Sequence, residues 1–218
     1  MNLPAIMKLI GKRLLRPLIY RFPPVMIWPS RLYVWFDVLV NTKRLAGEIV
    51  EVGCYLGGTA AVSMRMLDHI GSTRVYTVID TFDGFDAAQF DNEVALGAHK
   101  SLAGEFSSNS PSLTRWVLDK HGGKNVKIVV GDITTVSDDK LPARISACLL
   151  DVDLADPIYK GLNRLYPRLV PGGVIAVDDC ELGTGYKAVI GYEQFMKEQG
   201  LEPEYQFGMG LVRKPISP

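Results

Sequence analysis

From Glu48 onward, short runs of β-branched and aliphatic residues alternate with longer stretches in which apolar side chains recur every three or four positions. Continuous apolar runs of four or five residues predict strands covered on both faces, and the longer periodic stretches predict helices between them, the pattern of βαβ units in a parallel sheet. Strands are predicted at Ile49 to Val52, Val75 to Ile79, Val126 to Val130, Ala147 to Leu150 and Val174 to Val177. Helices are predicted at Thr59 to Ile70, Pro111 to Lys120, Pro157 to Leu169 and Thr184 to Gln199, with Pro111 and Pro157 suited to the first turn, where a missing N–H costs nothing. The tail from Glu204 to Lys214 reads as two short strands split by a glycine turn, a closing hairpin. The sum is an α/β chain with a doubly wound, seven-stranded sheet, mostly parallel, with one antiparallel strand from the C-terminal hairpin.

Two regions fall outside this rhythm. Thr81 to Ser110 has no clear period, and a segment of that length inside a compact domain is a candidate lid. Residues 1–45 form a basic, apolar extension, predicted helical, ahead of a domain spanning 46–218. Lys8, Lys12, Arg13, Arg16, Arg21 and Arg31 all precede the first acid, Asp37. Arg13, Arg16, Pro17 and Arg21 interrupt its apolar runs well short of the ~18 residues a spanning helix needs. Two readings follow: an extension that caps the core or builds a subunit interface, with a homo-oligomer expected, or a basic amphipathic segment lying on an anionic membrane surface.

Bulk properties narrow the partners. The chain of 218 residues is 47% hydrophobic, enough for one sizeable core, and its 24 Lys and Arg balance 24 Asp and Glu. With no net charge there is no long-range attraction for nucleic acid, so a small-molecule partner is expected. Three cysteines, Cys54, Cys148 and Cys180, lack metal-site or disulfide spacing and predict reduced, mostly buried thiols in a cytoplasmic protein.

Ligands of doubly wound sheets bind beyond the carboxyl ends of the strands, and here those ends are acidic. After the first strand comes Glu51-Val-Gly-Cys-Tyr-Leu-Gly-Gly58, in which Gly53 permits a sharp turn and Gly57 and Gly58 permit close backbone approach to a ligand. The spacing is neither GxGxxG nor a phosphate loop, which argues against a dinucleotide or a nucleoside triphosphate. The second strand ends at Asp80, placed to accept ribose hydroxyls, and the third at Gly131-Asp132, placed to accept an adenine amine. Together they describe a pocket for an adenosine carrying a charged amino-acid tail. This order resembles the cofactor half of class I methyltransferases and implies a Rossmann-like fold. It further implies S-adenosyl-L-methionine held by Glu51, Gly53, Cys54, Tyr55, Gly57, Gly58, Asp80, Thr81, Phe82, Asp132 and Ile133.

The fourth strand delivers Asp151 and Asp153, and the fifth delivers Asp178 and Asp179. Neighbouring strands lie ~4.8 Å apart, so these carboxylates converge and call for a cation; all-oxygen ligands favour Mg2+ over Zn2+. An Asp after the fourth strand with an acidic pair after the fifth resembles the metal site of catechol O-methyltransferase-like enzymes, implying Asp151, Asp178 and Asp179 as ligands. The string from Leu149 to Asp179, together with Ile79-Asp-Thr-Phe-Asp-Gly-Phe85, is more similar to the macrocin O-methyltransferase family, and this likeness runs from about Glu48 to Lys214. It implies metal-assisted methylation of sugar hydroxyls in natural-product biosynthesis. One departure stands out: the catechol-type general-base lysine corresponds to Leu154. His99 in the lid segment is the first replacement candidate, since imidazole titrates near neutrality, and Asp153 the second. Two alternatives stay open, a degenerate cofactor-binding scaffold docked on a membrane and a nicotinamide-dependent oxidoreductase.

Overall fold

The computed structural model describes residues 15–181, 183 and 185–216. Lys8, Lys12 and Arg13 of the predicted extension, and Thr184, lie outside the described residues. Residues 15–19 are helical, and α1 (Pro29–Asn41) follows. The alternating body comprises β1 (Glu48–Val52), α2 (Gly58–His69), β2 (Tyr76–Asp80), α3 (Ala87–Ala95), α4 (Pro111–His121), β3 (Lys127–Val130), β4 (Ile145–Leu150), α5 (Ala155–Leu165), β5 (Leu169–Val177) and α6 (Ala188–Glu198), closed by β6 (Glu204–Gln206) and β7 (Met209–Arg213). The seven strands are ordered β3-β2-β1-β4-β5-β7-β6. All pairings from β3 to β5 are parallel, and β7 runs antiparallel to both neighbours.

Every residue of β4 is buried, whereas the edge strands β3 and β6 carry exposed positions, as the two-faced cover of a parallel sheet requires. Alternate side chains of one strand enter different cores. Cys148 and Leu150 join α5 and α6 on one face, while Ala147 and Leu149 join α1, α2 and α4 on the other. Trp35 and Leu39 of α1 are fully buried in the second core, so α1 packs as an integral helix of that layer. All three cysteines are free and buried.

Element ends differ from the periodicity in small ways. Helix α5 starts at Ala155, two residues before Pro157, because a proline anywhere in the first turn forfeits no hydrogen bond. Helix α6 starts at Ala188 rather than Thr184. The segment read as a structureless lid contains α3, with Asp86 capping the amides of Ala88 and Gln89, and a 3-10 turn at Lys100–Gly104. No helix among the described residues is long and apolar enough to cross a membrane.

Candidate active site

Register brings the strand ends to one line: Val52 pairs with Ile79 and Leu150, Leu150 with Val177, and Asp80 with Val130. The chain reverses its winding between β1 and β4, so the loops after these strands open a crevice at the switch point. A cavity of about 490 Å³ fills it, lined by Gly53, Cys54, Tyr55, Gly58, Asp80, Thr81, Asp132 and Ile133 on one side and by Asp151, Asp153, Asp178 and Asp179 on the other.

The glycine turn is held by the chain itself. Gly53 has φ +85°, and a Cβ there would stand 1.6 Å from the Asp151 carbonyl oxygen, so only glycine fits. A Cβ on Gly58 would fall 2.1 Å from the Pro24 carbonyl oxygen, which shows the N-terminal segment crossing directly over the start of α2. Asp80 accepts hydrogen bonds from the amides of Tyr55 (2.8 Å) and Phe82 (2.7 Å) and, at 3.3 Å, from Asn109 Nδ2. Burial raises its pKa against these favourable donors. Asp132 accepts from the Thr134 amide and Gln89 Nε2, both at 2.7 Å. A carboxylate offers about four lone-pair sites, so both acids keep acceptor capacity toward the cavity.

Three of the residues expected around the cofactor are not in the cavity wall: Glu51, Gly57 and Phe82. Glu51 points into the core, 1% exposed, and accepts a hydrogen bond from the Tyr76 hydroxyl. Its place within β1 sends the side chain to the sheet face under α1 and α2, beneath the loop rather than into the crevice. Burial pushes its pKa up to about 8, offset in part by Tyr76 and reinforced by the charge of Asp80. Gly57 forms the left-handed N-cap of α2, and Phe82 packs in the core with φ +57°.

On the acidic side, ligand atoms of Asp151, Asp153 and Asp179 all lie within 4.8 Å of one another. Asp153 and Asp179 have φ +62° and +55°, the left-handed region in which Asp is among the better tolerated side chains. Burial and then the neighbouring charges hold Asp151 and Asp153 well above the usual carboxylate range. Asp178 differs, because it meets a cation already present in the protein. Arg31 of α1, 7% exposed, donates from Nη1 to Asp179 Oδ1 at 2.6 Å, and the same nitrogen lies 3.0 Å from Asp178 Oδ1. That second contact is an ion pair without hydrogen-bond geometry, leaving the buried Asp178 Oδ1 without a hydrogen-bond donor among the described residues. Burial and Asp179 push Asp178 up to about 6 despite Arg31. Burial works against the Arg31 charge, yet Asp178 and Asp179 raise its pKa above the usual value. The trio at mutual reach is thus Asp151, Asp153 and Asp179, with the expected Asp178 beside it in the same cavity wall. Three carboxylates at mutual reach, Asp153 buried and Asp151 and Asp179 half-buried, plus an orphaned carboxylate oxygen beside them, suit a hard divalent cation.

Helix α3 ties the two sides together. Gln89 reaches Asp132, and Glu93, one turn on and 1% exposed, accepts from the Ala155 amide (3.0 Å) and the Lys187 amide (2.6 Å). Neither α5 nor α6 has a side-chain cap of its own, so Glu93 caps both helices that follow the acidic loops. Phe85, Phe106 and Tyr186 line the cavity edge-to-face, with centroids of 5.7 and 5.9 Å from Phe85, and the Tyr186 hydroxyl donates to Glu105. His99 stands outside the wall: it is exposed and its Nδ1 turns to Ser101 as the N-cap of the 3-10 turn. Once the segment folds into α3 and that turn, the imidazole is spent on local capping. Among the described residues, no histidine or lysine lines the cavity.

Arg31, Gln89, Glu93, Phe106 and Tyr186 belong to the site or its support without having been expected there from the sequence. Arg31 carried a usable signal, since it precedes Val34, Trp35 and Val38 at intervals of three, four and seven and so lies on the buried stripe of α1. A cation there must have a partner. Gln89 and Glu93, four apart, carried a weaker one. Phe106 and Tyr186 lie in irregular chain and carried none.

Comparison with known proteins matches residues 26–206 to the model of the macrocin-O-methyltransferase (TylF) family. The match begins inside the N-terminal extension and takes in α1, upstream of the likeness visible from Glu48 onward. A curated 8-demethyl-8-(2,3-dimethoxy-alpha-L-rhamnosyl)-tetracenomycin-C 4'-O-methyltransferase from Streptomyces olivaceus is 26% identical over 83% of this chain and 82% of its own. Among solved structures, the O-methyltransferase NovP superposes with TM-score 0.72 at 17% identity, covering 88% of this chain and 82% of that one. The calicheamicin methyltransferase CalS11, also described as a TDP-rhamnose 3'-O-methyltransferase, gives TM-score 0.69 at 17% identity over 98% and 94%.

Proposed function

Because the chain belongs to the macrocin-O-methyltransferase family and is an S-adenosylmethionine-dependent O-methyltransferase, we propose that its acceptor is a sugar hydroxyl of a natural product, a deoxyhexose such as rhamnose, and that Asp151, Asp153 and Asp179 would hold a divalent cation, Mg2+ by their all-oxygen chemistry. Family membership displaces the oxidoreductase and degenerate-scaffold alternatives. The carrying observation is that this acidic trio shares one cavity with the glycine turn, Asp80 and Asp132. The rhamnose named in the descriptions of the curated relative and of CalS11 supports the acceptor class.

When bound, S-adenosylmethionine supplies an electrophilic methyl group on a sulfonium, and a divalent cation supplies Lewis acidity toward adjacent acceptor oxygens. The chain's own residues do the rest. The backbone from Gly53 to Gly58, which includes Cys54 and Tyr55, would receive the cofactor closely; Asp80 would offer spare acceptor capacity to the ribose and Asp132 to the adenine, with Thr81 and Ile133 alongside. Phe85, Phe106 and Tyr186 exclude water from the reacting line, where proximity and alignment contribute most of the acceleration. The acceptor's proton goes to a carboxylate of the acidic group, since no imidazole or amine of the described residues lines the cavity.

The test is methyl transfer by the full chain to a rhamnose-bearing glycoside and to its aglycone, followed by product mass, with Mg2+ and after chelation. Product from the glycoside alone, lost on chelation and restored by Mg2+, is expected. Transfer to the aglycone alone would sink the acceptor assignment, and transfer that ignores chelation would sink the cation.

A further inference from the structure

We propose that residues 15–28 form a docking surface for an anionic lipid bilayer and bring the mouth of the cavity against it. The segment is fixed on its inner side. Tyr20 packs edge-to-face on Trp116 of α4 (6.1 Å), its carbonyl oxygen lies 2.9 Å from His121 Nε2, and the Pro17 carbonyl accepts from Lys120 Nζ at 2.7 Å. Held in this way, it turns an apolar set outward: Leu18 is 72% exposed, Phe22 73% and Trp28 69%, with Leu15, Ile19 and Met26 also more than half exposed. Large apolar side chains contiguous along one ordered segment mark a binding surface.

Charge selects the occupant. Residues 1–30 hold Lys8, Lys12, Arg13, Arg16 and Arg21 and no acid, and the Arg21 guanidinium sits 5.6 Å over the Phe22 ring, inside the apolar set. A two-fold interface in which this segment met its own copy would set Arg16 and Arg21 against the same cations, with no carboxylate in residues 15–28 to neutralise them. An anionic bilayer offers the complementary sign, accepts the apolar side chains, and favours tryptophan at its interface. Met26 and Trp28 also line the cavity, so the docked chain opens its active site toward the lipid. If the acceptor reading above holds, on which this one step rests, a sugar hydroxyl carried by a membrane-resident amphiphile reaches the site without crossing water.

The experiment is sedimentation of the full chain with vesicles of neutral phosphatidylcholine, with and without anionic phosphatidylglycerol. Binding to anionic vesicles is expected to exceed binding to neutral ones by roughly tenfold and to fall by a similar factor in Arg16→Gln/Arg21→Gln and in Leu18→Ser/Phe22→Ser. Both pairs lie outside the cavity wall, so unchanged S-adenosylmethionine affinity shows that the variants fold. Brominated lipid is expected to quench the fluorescence of Trp28, with the quenching lost in Trp28→Phe, because Trp35 is buried and Trp116 is packed under Tyr20. Equal binding to neutral and anionic vesicles, no binding, or a dimer that Leu18→Ser/Phe22→Ser converts to monomer without vesicle binding would overturn the proposal. Methyl transfer to a soluble glycoside is scored separately, so failure of docking and failure of the acceptor reading are distinguishable.

Discussion

The two sides of the cavity differ in how their polar groups are satisfied. On the side built by β1, β2 and β3, Asp80 and Asp132 are already engaged by backbone amides and neutral side chains, and Glu51 below them shares a proton-bearing contact with Tyr76. That side is nearly complete as polypeptide, its one buried side-chain atom without a hydrogen-bond partner among the described residues being Asn109 Oδ1. On the side built by β4 and β5, four carboxylates crowd into a buried space with one guanidinium among the described lining residues to offset them. That side is electrostatically incomplete. A preorganised surface can receive a cofactor with little rearrangement, whereas a charge-deficient one is stabilised by whatever cation enters, so the first half reads as scaffold and the second as chemistry.

The widest separation between the halves should appear in Asp151→Asn with Asp179→Asn. Turnover is expected to fall roughly a thousandfold or more, about 4 kcal/mol of transition-state stabilisation, while S-adenosylmethionine affinity stays within about threefold. The change relieves like-charge repulsion but also removes the carboxylate that Arg31 bonds, leaving Arg31 to Asp178, so the melting temperature should change little, and thermal unfolding read beside steady-state kinetics checks both at once. A cofactor affinity that collapsed with turnover would erase the division. Next comes Arg31→Met, which leaves Asp178 and Asp179 buried without their cation. A loss of about 3 kcal/mol is expected in urea unfolding at neutral pH. Added Mg2+ should recover more stability in this variant than in the parent chain; equal recovery would mean that Arg31 and the divalent ion do not answer the same charge.

The same division explains what could be read from the residues alone. Sheet, winding and strand ends were legible because β1, β2, β4 and the second half of β5 are short, mainly apolar runs ending in polar or glycine residues, with Glu51 the one acid inside them, a pattern set by burial on two faces. The acids were legible because strand ends in such a sheet face the ligand. The partners of those acids were not, since Arg31 stands 148 positions before Asp179 along the chain and reaches it only through the packing of α1. Asp153, which joins Asp151 and Asp179 at mutual reach, sits in a left-handed turn, a backbone feature not read from the sequence. Helix α3 was lost for a related reason: Phe90 and Glu93 face inward together, so the helix mixes an apolar and an acidic residue on its buried side and shows no apolar period.

A smaller effect tests the cofactor side. Glu51 holds its proton to about pH 8 when folded, against an ordinary value of 4.5. The folded chain therefore binds the extra proton between those values, and the stability owed to this group is full below 4.5 and is lost as pH rises through about 8. Glu51→Gln keeps the shape and an acceptor for Tyr76 but cannot ionise. Relative to the parent, the variant should gain roughly 2 to 3 kcal/mol between pH 6 and pH 8 and no more above that, measured as the change in the difference between their urea curves. A difference independent of pH would mean that the carboxyl is ionised beneath the loop and would weaken the view of this side as internally complete.

The smallest expected effect belongs to His99→Ala. Its imidazole caps the 3-10 turn at the surface and lines no part of the cavity, so removing it costs a local hydrogen bond of about 1 kcal/mol or less and leaves methyl transfer within about twofold. The informative measurement is the pH profile of kcat/KM rather than its maximum. If a carboxylate of the acidic side takes the proton, the parent and His99→Ala profiles superimpose, whereas a limb lost only in the variant would return the proton to the imidazole. That outcome would require the α3 segment to carry His99 into the cavity during turnover, and it would move part of the chemistry from the acidic side of the site to the helix that joins the two.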